Sequence, residues 1–121
     1  MNQFENKYDL EDRTMKFSGD LIMFCRLCSK DSIIFPLINQ LIRSGTSVGA
    51  NYREANGAVS KRDFQNKIFI CKKEAKETLY WLELVGSAVD DEKLKLKCRK
   101  LWQENKELTL IFSKIAHSSK K

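Results

Sequence analysis

Three carboxylates and two bases fall near one another in the middle of this chain: Glu54 on one helical run, Glu74 and Glu77 on the next, with Arg43 and Lys67 beside them. Paired carboxylates are the equipment of general acid–base hydrolysis. Here each acid has a basic partner at hand, and no nucleophile, histidine base or metal cluster accompanies them. Arg43, Ser47 and Asn51 follow one another in steps of four, and Glu54 comes one turn later. Folding the two runs back on each other around residues 58–61 brings Glu54 level with Lys67, and Arg43 level with Glu74 or Glu77. The expected result is a partly buried ladder of opposite charges, which specifies register more reliably than it stabilises. No enzyme is expected.

The cysteines offer a second chemistry. Cys25 and Cys28 have the CxxC spacing, but they lie in an apolar helical run, and Cys71, Cys98 and the single His117 stand far apart in sequence. A zinc site needs a second close pair, and a thioredoxin-type motif needs a βαβ setting. The thiols are read as reduced, buried apolar residues, and no metal or cofactor is expected. The stretch RSGTSVGANYREA (residues 43–55) carries two glycines, yet it lacks the GxxxxGK[ST] order of a phosphate-binding loop.

These side chains need elements to carry them. At 121 residues, with 42% apolar and 31% charged residues, the chain is sized for one core. One proline and five glycines argue against an all-β fold. No run approaches the roughly 20 apolar residues of a membrane span, and the polar N-terminus MNQFENKYDLED does not read as a targeting peptide. A cytoplasmic protein without membrane association is expected, as a single domain over residues 1–121 with short flexible termini.

Heptad counting yields four helices. The third carries Phe64, Ile68, Cys71, Ala75, Thr78, Leu82, Val85 and Val89; the fourth carries Leu94, Cys98, Leu101, Asn105, Leu108, Phe112 and Ile115. The first runs through Leu10, Thr14, Phe17, Leu21, Phe24 and Cys28, widened by Ile22 and Cys25. The second runs through Leu37, Leu41, Ser44, Val48, Asn51, Ala55 and Ala58. Ser60 is the expected N-cap of the third and Asp90 or Asp91 of the fourth. Short connections make neighbours antiparallel, so the fold class is an all-α, up-down-up-down four-helix bundle. Gly45 and Gly49 then share a helix face. Each costs about 1 kcal/mol against alanine, which close helix approach offsets, either inside the subunit or between subunits.

QLIRSGTSVGANYREA followed by SKRDFQNKIFICKKEAKETLYWLEL resembles the four-helix bundle family of proteins encoded in intervening sequences of bacterial 23S ribosomal RNA genes. Its pattern is matched by Arg43, Ser44, Ser47, Gly49, Ala50, Asn51, Glu54 and Ala55. On the next helix it is matched by Asp63, Phe64, Lys67, Lys73, Glu74, Ala75, Glu77, Thr78, Tyr80, Trp81 and Leu82. Tyr52-Arg53 departs from it, since the family more often has a smaller aliphatic residue after the asparagine. The resemblance implies a homopentamer without catalytic activity. It extends to accessory proteins of diversity-generating retroelements, basic pentameric barrels that bind a reverse transcriptase and nucleic acid.

The net charge of +6 and the cluster Lys93, Lys95, Lys97, Arg99 and Lys100, with Lys114, Lys120 and Lys121 further on, point to structured RNA or a nucleoprotein as partner. The alternative is a scaffold that binds a protein through Tyr80, Trp81 and Trp102, without nucleic acid.

Overall fold

The computed structural model describes the backbone of residues 3–119 and the side chains of residues 10–119. Lys120, Lys121 and the outermost ends of the expected termini lie outside the described residues. Four helices follow in order: α1 (Gln3–Leu27), α2 (Ile34–Asn56), α3 (Lys61–Ala88) and α4 (Glu92–Ser119). Each packs antiparallel on its sequence neighbour, and α4 closes the bundle against α1; α2–α3 and α3–α4 are the closely packed seams. No strand occurs among the described residues, and none of their helices is long and apolar enough to cross a membrane.

Local chemistry sets the helix boundaries. Ser60 Oγ accepts the Asp63 amide at 3.0 Å and starts α3. Asp91 Oδ1 accepts from Lys93 N at 2.7 Å and starts α4. Asp31 does the same for α2, with Oδ1 accepting from Ile33 N at 2.9 Å and Ile34 N at 2.8 Å. Such caps each contribute about 1 kcal/mol by satisfying amides the helix leaves unbonded.

Leu21, Leu41, Ile68, Leu82, Leu108 and Phe112 are fully enclosed, and burying each such side chain stabilises the fold by roughly 1.5–3 kcal/mol. The α3 seam matches its heptad count, with Phe64 only partly covered. The α1 stripe from Leu10 to Cys28 is also buried as counted, Cys25 included, while α2 and α4 rotate slightly from theirs. Ile22 is exposed rather than part of the α1 stripe. On α2 the buried set is Ile34, Ile38, Leu41, Ser44, Gly45, Val48, Tyr52 and Ala55. Leu37 and Asn51 sit at the rim, and Ala58 lies beyond the helix end. Near the end of α4, Thr109 and Ala116 are buried and Ile115 is only partly so. A straight helix advances 3.6 residues per turn, so a strict 3.5-residue count drifts off the core within three or four turns.

Tyr52, at the departure from the family pattern, faces inward and packs edge-on against Phe112 with ring centroids 5.5 Å apart. The glycine face is used inside the subunit. A Cβ at Gly49 would lie 3.1 Å from Thr14 Cβ, and one at Gly45 would meet the Leu21 Cδ2 methyl. Both glycines therefore let α1 approach α2. Among the described residues one buried side-chain polar atom has no partner: Asn105 Nδ2 donates to Ala75 O at 2.7 Å, while its Oδ1 is unsatisfied in the core.

Candidate functional site

The α2–α3 seam carries the polar ladder. Arg43 sits on the outer edge of α2 and reaches across to α3, where Nη1 donates to Glu74 Oε2 at 3.0 Å and Nη2 donates to Glu77. Its Nε donates to Gln40 Oε1 at 3.1 Å. Glu77 Oε2 also accepts Trp81 Nε1 at 2.9 Å. The Glu74 side chain is only 9% exposed and the Arg43 side chain 47%, so one partner is desolvated and the other wet. Three turns toward the α2–α3 connection, Lys67 Nζ donates to Glu54 Oε2 at 2.6 Å. Ser47 and Asn51 lie between these pairs but bond their own helix, Ser47 Oγ to Arg43 O at 2.7 Å and Asn51 Nδ2 to Ser47 O at 2.8 Å.

The ladder thus consists of two ion-pair groups separated by a small, polar stretch. Every acid in it already accepts from a base, which leaves no free carboxylate aimed at a reacting group. Between Arg43 and Glu54, α2 presents the small side chains of Thr46, Ser47 and Ala50, and Thr46 and Ala50 border a groove against α1.

The cations of α4 divide into two sets. Helical geometry puts Lys93, Lys97 and Lys100 on the α1 side and Lys95 and Arg99 on the α3 side. Lys95 is committed locally: its Nζ donates to Gly86 O at 3.0 Å, bonding a carbonyl in the last turn of α3. Arg99 borders a surface depression with Trp102, whose Nε1 donates to Glu83 Oε2 at 3.2 Å. Helix α4 holds seven lysines and arginines against three glutamates, whereas α1 holds four bases against five acids. The excess positive charge therefore belongs chiefly to one element.

A further ion cluster joins α1 to α4. Arg13 grips Glu104 with Nε and Nη2, both at 2.8 Å, and Nη2 also reaches Glu107 at 2.8 Å. Hydrogen bonding to Glu104 pushes the Arg13 pKa up further, against the opposing effect of desolvation. Little in the amino-acid order signals this cluster, because its partners are some ninety residues apart and follow no motif.

All four cysteines are free and buried. Burial pushes the Cys25 and Cys71 thiols up to about 12 and Cys98 up to about 11, and raises Cys28 as well. Cys71 Sγ donates to Val48 O at 3.5 Å and Cys98 Sγ to Leu82 O at 3.2 Å. They behave as neutral core groups. Among the described residues no group of three or more histidine, cysteine or acidic side chains is arranged to hold a metal ion.

Comparison with known proteins places this geometry. The profile described as "23S rRNA-intervening sequence protein" matches residues 6–89. A crystal structure of a protein with unknown function from the S23 ribosomal protein family of Bacteroides thetaiotaomicron VPI-5482 is similar at 32% identity and a TM-score of 0.73. That likeness covers 88% of this chain and 96% of the other. Curated proteins gave no match.

Proposed function

The chain belongs to the 23S rRNA-intervening sequence protein family, and from that membership we propose that it is a non-catalytic homo-oligomer that binds structured RNA, or a nucleoprotein containing it, through α4. The observation that carries the reading is the charge of that helix: four of its exposed cations, Lys93, Lys97, Arg99 and Lys100, have no acid in contact. Phosphate contacts by such groups supply affinity with little sequence preference, and RNA helices are recognised largely by shape.

Assembly into a ring, with five subunits favoured by the family resemblance, would multiply the +6 of each chain on one shared surface. The Thr46, Ser47 and Ala50 face of α2 is well suited to subunit contact, since its side chains are small, half-buried to exposed and bordered by charges of both signs. Light scattering should report a multiple of 14.1 kDa at micromolar concentration; a monomer would remove the ring.

Fluorescence anisotropy with a structured RNA tests the binding. Three or four phosphate contacts per binding unit should weaken affinity on the order of 50-fold between about 50 and 200 mM salt. Reversing Lys93, Lys97, Arg99 and Lys100 should abolish that dependence with the helical fold intact. Lys95 is left alone because it closes α3. No binding at about 50 mM salt, where such contacts are strongest, would favour the protein scaffold instead.

A further inference from the structure

The loosest seam of the bundle, between α1 and α4, opens into a trough of about 280 Å³. Its floor is Phe17, Phe24 and Leu101, all buried. Its rim holds Met23 and Leu27, each 58% exposed although large and apolar. Lys97 and Lys100 stand along the opposite rim. Two acids also border the trough, and both are engaged from outside it: Asp20 accepts Lys16 at 2.8 Å, and Glu104 is held by Arg13. Two ammonium groups remain without an acid in contact, beside a strip of unfilled apolar surface. The comparable groove between α1 and α2 differs, because its Glu11 faces Arg53 at 3.7 Å and its Glu54 is paired with Lys67.

We propose that the α1–α4 trough docks an acidic amphipathic helix of a protein partner. The dimensions suit one. Residues 20–27 of α1 line about 10 Å of it, the distance spanned by anchors at i, i+4 and i+7 of a docked helix. Large apolar anchors cover Met23 and Leu27 and fill the space above Phe17 and Phe24. Acidic residues flanking those anchors meet Lys97 and Lys100, with Lys93 one turn further along α4. Below the trough, the Arg13–Glu104–Glu107 cluster closes the seam with one cation against two carboxylates, and this net negative charge sets where an acidic docked helix ends. The apolar strip gives affinity, and the free lysines select acidic over basic helices. The inference does not depend on RNA binding, although Lys97 and Lys100 would serve both partners.

The probe is a labelled synthetic helix of about 18 residues, with leucines at i, i+4 and i+7 and glutamates beside them. It is compared by anisotropy with a scrambled peptide of the same composition and with a lysine-for-glutamate version. The acidic amphipathic peptide should bind at least about tenfold more tightly than either control, as expected of a contact resting on a few buried anchors. Met23→Ser with Leu27→Ser should remove that advantage while leaving the circular dichroism spectrum and structured-RNA binding unchanged, because both side chains are exposed and uncharged. Lys97→Gln with Lys100→Gln should lower peptide affinity and its salt dependence. The inference is overturned if the designed peptide does not bind, if the scrambled peptide binds equally, or if the serine variant retains the parent's affinity. It is also overturned if the serine variant instead loses RNA binding or its self-association, since the trough would then belong to RNA or to a second copy.

Discussion

Alanine at Gly45 and alanine at Gly49 are the same chemical change, one helical turn apart on one face, yet they should move stability differently. Replacing glycine by alanine inside a helix gains about 1 kcal/mol at either position. The packing terms differ. At Gly45 the new methyl runs into Leu21 Cδ2 and comes within 3.6 Å of Leu21 Cγ and Thr78 Cγ2. Leu21 is fully buried, so its methyl has no vacant space to enter, and overpacking of this kind costs about 1–3 kcal/mol. A value toward the upper end leaves Gly45→Ala net destabilised by about 1–2 kcal/mol. At Gly49 the nearest atoms are Thr14 Cβ and Oγ1 at 3.1 Å, beside an open groove, and α1 need yield only a little. Gly49→Ala should fall within about 0.5 kcal/mol of the parent. The two midpoints should then separate by about 4–8 °C in thermal unfolding, compared at equal protein concentration because assembly stabilises by mass action. Leu21→Val removes the obstructing methyl, so a double-mutant cycle with Gly45→Ala should show coupling of about 1 kcal/mol or more. Equal melting of the two alanine variants, or zero coupling to Leu21, would refute the account of close α1–α2 approach.

Arg43→Ala leaves the nearly buried Glu74 carboxylate without its cation and should cost about 2 kcal/mol, below the full cost for a wholly buried pair because Arg43 is half in solvent; urea denaturation measures it, and a loss under 0.5 kcal/mol would contradict the desolvated pairing. The four thiols should stay silent toward a disulfide reagent at pH 8 in the native protein and react only as it unfolds. Their raised pKa values also carry a pH dependence. The folded chain holds the Cys25, Cys71 and Cys98 protons to about pH 11–12, whereas unfolded thiols release them near 9. The contribution of these three thiols is therefore fully present below pH 9 and is lost as pH rises toward 11–12, at about 1.4 kcal/mol per pH unit for each. Unfolding midpoints that stay flat from pH 9 to 11 would contradict it.

The sequence carried the helix count and the α3 seam because both depend on local spacing and local caps; Ser60 and Asp91 are legible for the same reason. It could not decide which neighbour Gly45 and Gly49 approach, since a small-residue face reads identically for a contact within the subunit and one between subunits. Leu21 and Thr14 settle that only in three dimensions. The α4 cations read as one cluster, yet their division follows from helical phase together with the Gly86 carbonyl that Lys95 reaches. Arg13–Glu104–Glu107 joins distant parts of the chain and depends on how the bundle closes. The opposite charges of the α2–α3 ladder, by contrast, could be aligned on paper because a short connection fixes their register.

The wiring of the bundle also has a meaning in time. Three of its four helix seams join elements separated only by a few connecting residues, so each can form as a local hairpin with little loop entropy to overcome. The α1–α4 seam alone must bring together the two ends of the chain, across α2 and α3. Contacts of long sequence separation lag behind local ones, so α1 should settle onto α4 after α2, α3 and α4 have assembled. Truncating Leu101 or disrupting the Arg13–Glu104 fork should then accelerate unfolding and leave the refolding rate nearly unchanged, whereas changes at Ile68 or Cys71 should slow refolding. The reverse pattern in stopped-flow kinetics would mean that the ends of the chain meet first.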